Sequence, residues 1–193
     1  MSPIPTLVLL MAFGVASMSA QDRVKLIDVQ RSTITIHVGK AGLFSIAGHE
    51  HWVSAPISAG LINNSAAPHV EFRVDASKLE VKPDPKVDAN TQAEIQKDMQ
   101  ELTLESAKYP EIVFSSSRVE KQGEDQWKVH GTLTLHGVTK PVAVTVRRDG
   151  AMYVSHARVK QSDFGIKPVT AAGGLVKVKD EVEIDFRIAT RPE

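Results

Sequence analysis

The chain of 193 residues contains no cysteine. Disulfides, zinc fingers, thiolate nucleophiles and a lipid-modified N-terminal cysteine are therefore excluded, and the fold must rest on packing and hydrogen bonds alone. There is no surplus of charge either, since 23 Lys+Arg stand against 23 Asp+Glu. A nucleic-acid binder needs a basic face to displace counterions from phosphates, so a neutral chain argues against that class. Twelve glycines, ten prolines and 24% charged residues are too ordinary for a collagen-like repeat or for wholesale disorder. Aromatics are scarce as well: two Trp, two Tyr and six Phe.

A membrane-spanning run is also missing. Residues Met1–Ala20 carry no charged side chain, and the apolar stretch Leu7–Val15 has the length of a signal-peptide core but is short for a bilayer span. Small residues follow it at Ala16, Ser17, Ser19 and Ala20. The expectation is a signal peptide over residues 1–20, removed on export, and a mature domain over 21–193 that is periplasmic or secreted. An uncleaved anchor is the alternative.

What the chain does contain is strand patterning. Ile34, Ile36 and Val38 alternate with Thr33, Thr35 and His37, and Val70, Phe72 and Val74 with Glu71, Arg73 and Asp75. Trp127, Val129, Leu133 and Leu135 share one face of the run Gln126–His136, and Val142, Val144 and Val146 share another. The last run sets Val176, Val178, Val182, Ile184, Phe186 and Ile188 against charged partners. Less regular strands are read near 51–62, 111–119 and 151–160. Period-2 alternation marks strands with one buried face, which favours antiparallel pairing. About eight such strands, closed to remove their edges, make a barrel able to hold one small ligand. A sandwich has the same patterning.

One segment departs from that period. From Asn90 to Ala107, Ile95, Met99, Leu102 and Leu104 recur at helical spacing among polar residues, which predicts an amphipathic helix ended by Tyr109-Pro110. The fold class expected is all-β: an antiparallel eight-stranded barrel with one amphipathic helix.

Catalytic motifs are lacking. The chain has no GxSxG, GxGxxG, P-loop or HExxH pattern, so no enzyme is expected. Of the seven histidines, His49 and His51 stand two apart, and in an extended segment they share a face on which they could hold a metal with a third ligand, for instance His37. The plainer reading makes them turn residues beside Trp52, with no metal bound. His130 and His136 read as wet-face or turn residues.

Three segments carry a resemblance to a known family. Gly131–Lys140 (GTLTLHGVTK) resembles a signature of the YceI-like, polyisoprenoid-binding proteins. Lys108–Ser116 (KYPEIVFSS) is similar to that family's strand after the helix, and Ser162–Ile166 (SDFGI) to its "DFG" element. Asp28, Ser32 and Ile34 are similar to its opening strand. Motif order agrees from about residue 26 to 188. Lys160 and Gln161 stand where an Arg is usual, and Gly42–His51 with its H-x-H turn looks like a separate branch.

The resemblance implies a lipocalin-like barrel, exported in bacteria, with an apolar cavity for a long-chain isoprenoid or quinone-like lipid and no catalysis. The inward candidates are Phe44, Val70, Phe72, Ile112, Phe114, Leu133, Leu135, Phe164, Ile184 and Phe186. Each is equally suited to an ordinary core, and a barrel packed solid and used as an interaction module is the further alternative. No cofactor other than such a lipid is implied, and a homodimer is compatible with the pattern.

Overall fold

A computed structural model describes residues 24–41, 50–171 and 176–192. The strands are β1 (Val24–Leu26), β2 (Thr33–Val38), β3 (Lys40–Ala41), β4 (His51–Ser54), β5 (Ile57–Asn63), β6 (His69–Asp75) and β7 (Glu80–Val81). They continue with β8 (Glu111–Gly123), β9 (Gln126–Leu135), β10 (Val138–Asp149), β11 (Met152–Lys160), β12 (Thr170–Ala171), β13 (Val176–Val178) and β14 (Glu181–Ala189). All paired strands are antiparallel, in the order β1-β5-β6-β8-β9-β10-β11-β14-β2-β4-β7. A small sheet, β12-β13-β3, prolongs the β2–β14 pair beyond its rim.

The β1 edge of this sheet closes onto β14. β1 and β2 are one strand broken at Asp28–Ser32, where Asp28 Oδ1 accepts from the backbone N–H groups of Gln30 and Arg31 and the Ser32 hydroxyl donates to the Asp28 carbonyl at 2.7 Å. The Ser32 hydroxyl oxygen also accepts from the Ala189 N–H at 3.0 Å, tying the break to β14. Before the break, Ile27 bridges Thr190, the Asp28 N–H donates to the Ala189 carbonyl, and the Ile27 N–H donates to the Gly60 carbonyl. β14 is thereby joined through Ile27 to β5. The circuit runs β1-β5-β6-β8-β9-β10-β11-β14 and back to β1, eight strands in all. β4 and β5 are likewise halves of one strand, joined through Ala55, whose N–H donates to the Ile34 carbonyl. Closure of this kind leaves few open edges.

Apolar positions of the ring point inward. Ile34, Val53, Phe72, Val74, Phe114, Val129 and Ile188 belong to one buried cluster, with Ile36, Val70, Leu135, Ile184 and Phe186 packed against it. Aromatic rings meet across the interior: Phe72 stacks on Phe114 at 5.4 Å and meets Phe186 edge-on at 6.2 Å. The Phe114 ring needs Gly131 beneath it, since a Cβ at that position would lie 2.9 Å from the ring and closer still to the Ser115 carbonyl.

Helix α1 (Ala89–Asp98) packs beside β7 and sets Ile95 against the core, and the turn that follows it closes one end of the ring. Its start is capped by Asp88, whose carboxylate accepts from the N–H groups of Asn90 and Thr91. The helix expected over Asn90–Ala107 is shorter in the structure: α1 stops at Asp98, continues as a π turn over Met99–Thr103, and ends at Glu105 with φ 44°. The wider turn rotates the apolar stripe. Met99, Thr103 and Leu104 face the barrel interior, while Leu102, grouped with them by spacing, is 71% exposed. Three glutamines one turn apart then clasp the chain around β7. Gln96 accepts from the Val81 N–H at 2.7 Å and donates to the Leu79 carbonyl at 3.0 Å. Gln100 donates to the Leu79 and Ala76 carbonyls, and Gln92 to the Val81 carbonyl.

Candidate functional site

The ring and its cap surround a cavity of about 1100 Å³, slightly above the ~300–1,000 Å³ typical of ligand pockets. The reason it stays open is visible in the residue types. Inward positions of β2 and β10 are Ile34, Ile36, Val38, Val142, Val144 and Val146, aliphatic side chains too short to meet at the axis. Phe72 on β6, stacked on its neighbour Phe114, reaches across to Phe186 on β14.

Nine of the ten inward candidates line this cavity: Val70 and Phe72 on β6, Ile112 and Phe114 on β8, Leu133 and Leu135 on β9, Ile184 and Phe186 on β14, and Phe164 on the short 3-10 turn Gln161–Phe164. Phe44 lies outside the described residues. The wall also includes Trp127 and Tyr153, whose rings meet at 5.8 Å, and the cap residues Met99 and Leu104. Trp127 and the β2 and β10 residues stand on faces the alternation already defines. Met99 and Leu104 likewise belong to the helical stripe read from the sequence, whereas Tyr153 stands on no such face, because the β11 segment alternates poorly.

Polar groups sit at the cavity ends. Near one mouth, the Ser116 hydroxyl accepts from the Val70 N–H at 2.9 Å and lies 3.1 Å from His69 Nδ1. At the capped end, the buried Gln161 amide donates to the Lys179 carbonyl at 2.9 Å. Beside it, the Asp180 carboxylate is held below its ordinary pKa by hydrogen bonds from the Ser162 hydroxyl and N–H.

The three motif segments converge at that capped end. His136 and Gly137, with φ 51° and 73°, form the two-residue type I′ turn between β9 and β10. His136 Nε2 lies 2.7 Å from a Glu105 carboxylate oxygen, and Nδ1 lies 3.3 Å from the Phe164 carbonyl. The Tyr109 ring tilts against His136 at 4.3 Å, and Lys108 sits over Tyr109 at 4.8 Å. The Tyr109 hydroxyl and then Glu105 hold the Lys108 ammonium above its ordinary pKa. Glycine is required after His136, because a Cβ at Gly137 would press within 2.6 Å of the Tyr109 ring. His136 is thus a turn residue, as its sequence setting implies, and also a post tying the helix end, the β9–β10 turn and the loop after β11 together.

The histidine alternative loses its third ligand. His37 pairs with Trp52 and stacks on it at 4.4 Å, whereas His51 pairs with Val38. One residue of offset puts His37 and His51 on opposite faces of the sheet. His37 instead lies 3.3 Å from a Glu50 carboxylate oxygen and 3.6 Å from one of Glu183. His49 lies outside the described residues, among which no group of three His, Asp or Glu side chains is arranged to hold a metal ion.

An antiparallel eight-stranded ring with one capped mouth and an apolar interior defines a lipocalin-like barrel. The particular family follows from comparison: residues 26–190 match the YceI-like domain, and the chain belongs to that family. "Protein YceI" of Escherichia coli O17:K52:H18 is 38% identical over 74 residues, covering 33% of this chain and 38% of that protein. The match thus spans well under half of the curated relatives' length. Among solved structures, a polyisoprenoid binding domain from Saccharophagus degradans implicated in plant cell wall breakdown superposes with TM-score 0.61 at 16% identity, over 89% of this chain and 99% of that one. Burkholderia cenocepacia BcnA gives TM-score 0.57 at 20% identity, over 84% and 98%.

Proposed function

We propose that this protein binds and carries a long-chain isoprenoid or quinone-like lipid in the barrel, without chemical turnover, in the bacterial periplasm after loss of residues 1–20. The observation that carries this reading is the 1100 Å³ cavity walled by Val, Leu, Ile and Phe side chains of β2, β6, β8, β9, β10 and β14. A wall of these side-chain types offers a ligand dispersion and desolvation rather than chemistry. An isoprenoid tail, which presents methyl-branched carbon and almost no hydrogen-bonding groups, is the chemistry that matches it. Burying roughly 400 Å² of such a chain contributes about 10 kcal/mol before the entropic costs of ordering it. Family membership and the likeness to a polyisoprenoid binding domain support the same reading. No helix among the described residues is long and apolar enough to cross a membrane.

Native mass spectrometry of protein exported through its own N-terminal segment tests this, followed by solvent extraction. A co-purifying species of isoprenoid mass, lost on extraction, is the expected result. An apo mass with no extractable lipid, together with no uptake of a quinone analogue, overturns it.

A further inference from the structure

The barrel wall is not zipped along its whole height. β10 has twelve residues and β11 nine, joined by a tight turn, yet their cross-strand partners run only from Asp149–Met152 to Val146–Ser155. The neighbouring pairs are far longer: β9–β10 runs from Val138–Leu135 to Arg147–Gln126, and β11–β14 from Met152–Ala189 to Lys160–Glu181. Along Lys140–Val144 and Ala157–Lys160 the two strands keep their outer partners and part from each other.

The cavity confirms the gap. On β2 and β8 the lining residues skip their neighbours, as a closed wall demands, and on β6, β9 and β14 they do so along most of the strand, with His69, Lys128 and Glu181 joining near the strand ends. On β10 every residue from Lys140 to Val146 lines the space, and on β11 every residue from Ser155 to Lys160. Both faces of both strands touch it, so the cavity passes between them. Lys140–Val144 spans about 16 Å at ~3.3 Å per residue.

The sequence builds this opening. In a two-residue type I′ hairpin the closing pair, here Leu135 and Val138, exchanges hydrogen bonds, and the pairs then alternate. Pro141, opposite Thr132, therefore falls at a non-hydrogen-bonded site of the β9–β10 ladder. The donor that proline lacks is the one that would have faced β11. At the point where pairing stops, the Ser155 hydroxyl donates to the Thr145 carbonyl at 2.8 Å, taking the acceptor the next rung would use. A missing donor in mid-edge also makes the gap a poor template for an added strand. Its inner lips are Val142, Val144, Ala157 and Val159, all small and aliphatic, and the 3-10 turn carrying Phe164 packs against both strands at the capped end.

We infer that this slit between β10 and β11 is the lateral gate through which an isoprenoid chain enters and leaves the barrel. The inference rests on the carrier reading above and adds the route. With one end closed by the turn carrying Met99, Thr103 and Leu104, the slit lets a chain slide in sideways along its length.

The test is a reversible staple. Ala143→Cys and Arg158→Cys place two thiols on the outer face across the slit in a chain with no other cysteine. A short bis-methanethiosulfonate reagent bridges them, and dithiothreitol releases them. A staple between Glu120→Cys and Lys128→Cys, partners across the zipped β8–β9 wall, is the control. The readout is stopped-flow uptake and release of dansyl-labelled farnesol. The expected result is a fall of about tenfold or more in both rates on stapling, an added barrier of ~1.4 kcal/mol. Affinity stays within about twofold, dithiothreitol restores the rates, and the control staple changes nothing. Unchanged rates in the stapled protein overturn the gate and leave the carrier reading standing. Quantitative formation of a direct disulfide between the same two cysteines also overturns it, because that bond needs Cα atoms within ~7 Å. No binding by the unstapled protein overturns the carrier reading, and the gate with it.

Discussion

His136→Ala removes the post that joins three segments at the capped end, and its cost can be worked from the contacts. The imidazole, with its side chain only 10% exposed, gives up the 2.7 Å contact with Glu105. A hydrogen bond to a charged partner is worth about 1.5–3 kcal/mol, and the low end applies because Glu105 is 40% exposed. The Tyr109 contact at 4.3 Å adds about 0.5–1.5 kcal/mol. The sum is a loss of about 2–3 kcal/mol, or roughly 5–10 °C in Tm for a domain of this size. Urea unfolding followed by tryptophan fluorescence measures it, with an unchanged m-value expected. His136→Asn tolerates the left-handed backbone but lacks the ring, and falls between. A double-mutant cycle with Glu105→Ala should return a coupling of about 1 kcal/mol or more. A loss below about 0.5 kcal/mol for His136→Ala, the range of ordinary surface substitutions, would refute the reasoning.

Gly131→Val is expected to destabilise by about 2 kcal/mol or more, because its Cβ has only the Phe114 ring and the Ser115 carbonyl to move into; thermal unfolding shows it. Gln96→Ala strips the Val81 N–H of its acceptor, costing about 1–3 kcal/mol, and hydrogen exchange at that amide should accelerate while amides in β8 and β9 stay protected. Leu102→Glu, on a side chain 71% exposed, should change stability by less than about 0.5 kcal/mol in the same melt. Asp75, Asp88 and Asp180 have carboxyl pKa values lowered in the fold, the first cause in each case being a hydroxyl hydrogen bond, from Ser77, Thr91 and Ser162 respectively. Their contribution is complete above the ordinary carboxyl value of 3.8 and is lost as pH falls through the lower folded values. Acid titration of Asp88→Asn, monitored by circular dichroism, should show part of that low-pH loss removed.

The barrel was legible in the sequence where strands face water on one side only. Ile34/Ile36/Val38 and Ile184/Phe186 announce their inward face because their neighbours Thr35, His37, Asp185 and Arg187 must stay wet. The eight-strand circuit matches that reading, although β1–β2 and β4–β5 are broken strands that alternation alone shows as separate pieces or not at all. The break at Asp28–Ser32 is encoded in side chains that hydrogen-bond their own backbone, a local signal whose consequence, closure against Ala189, lies 157 residues away. The helix was legible as a segment but not in its phase, since a π turn is set by what the helix must reach, here Leu104 and the cavity. The motif segments point to one another only in three dimensions: nothing in their spacing places Tyr109, His136 and Phe164 at one end of the barrel.

The clasp on the cap has a further consequence. Gln92, Gln96 and Gln100 hold the β7 segment through neutral amides, groups that neither gain nor lose a proton in water and whose short-range bonds salt does not screen. A cap fastened by carboxylates or imidazoles would loosen when its surroundings acidify or when ionic strength rises. The β7 side of the cap is therefore indifferent to both, in contrast to its far end, where the Glu105 carboxylate and the His136 imidazole make the contact.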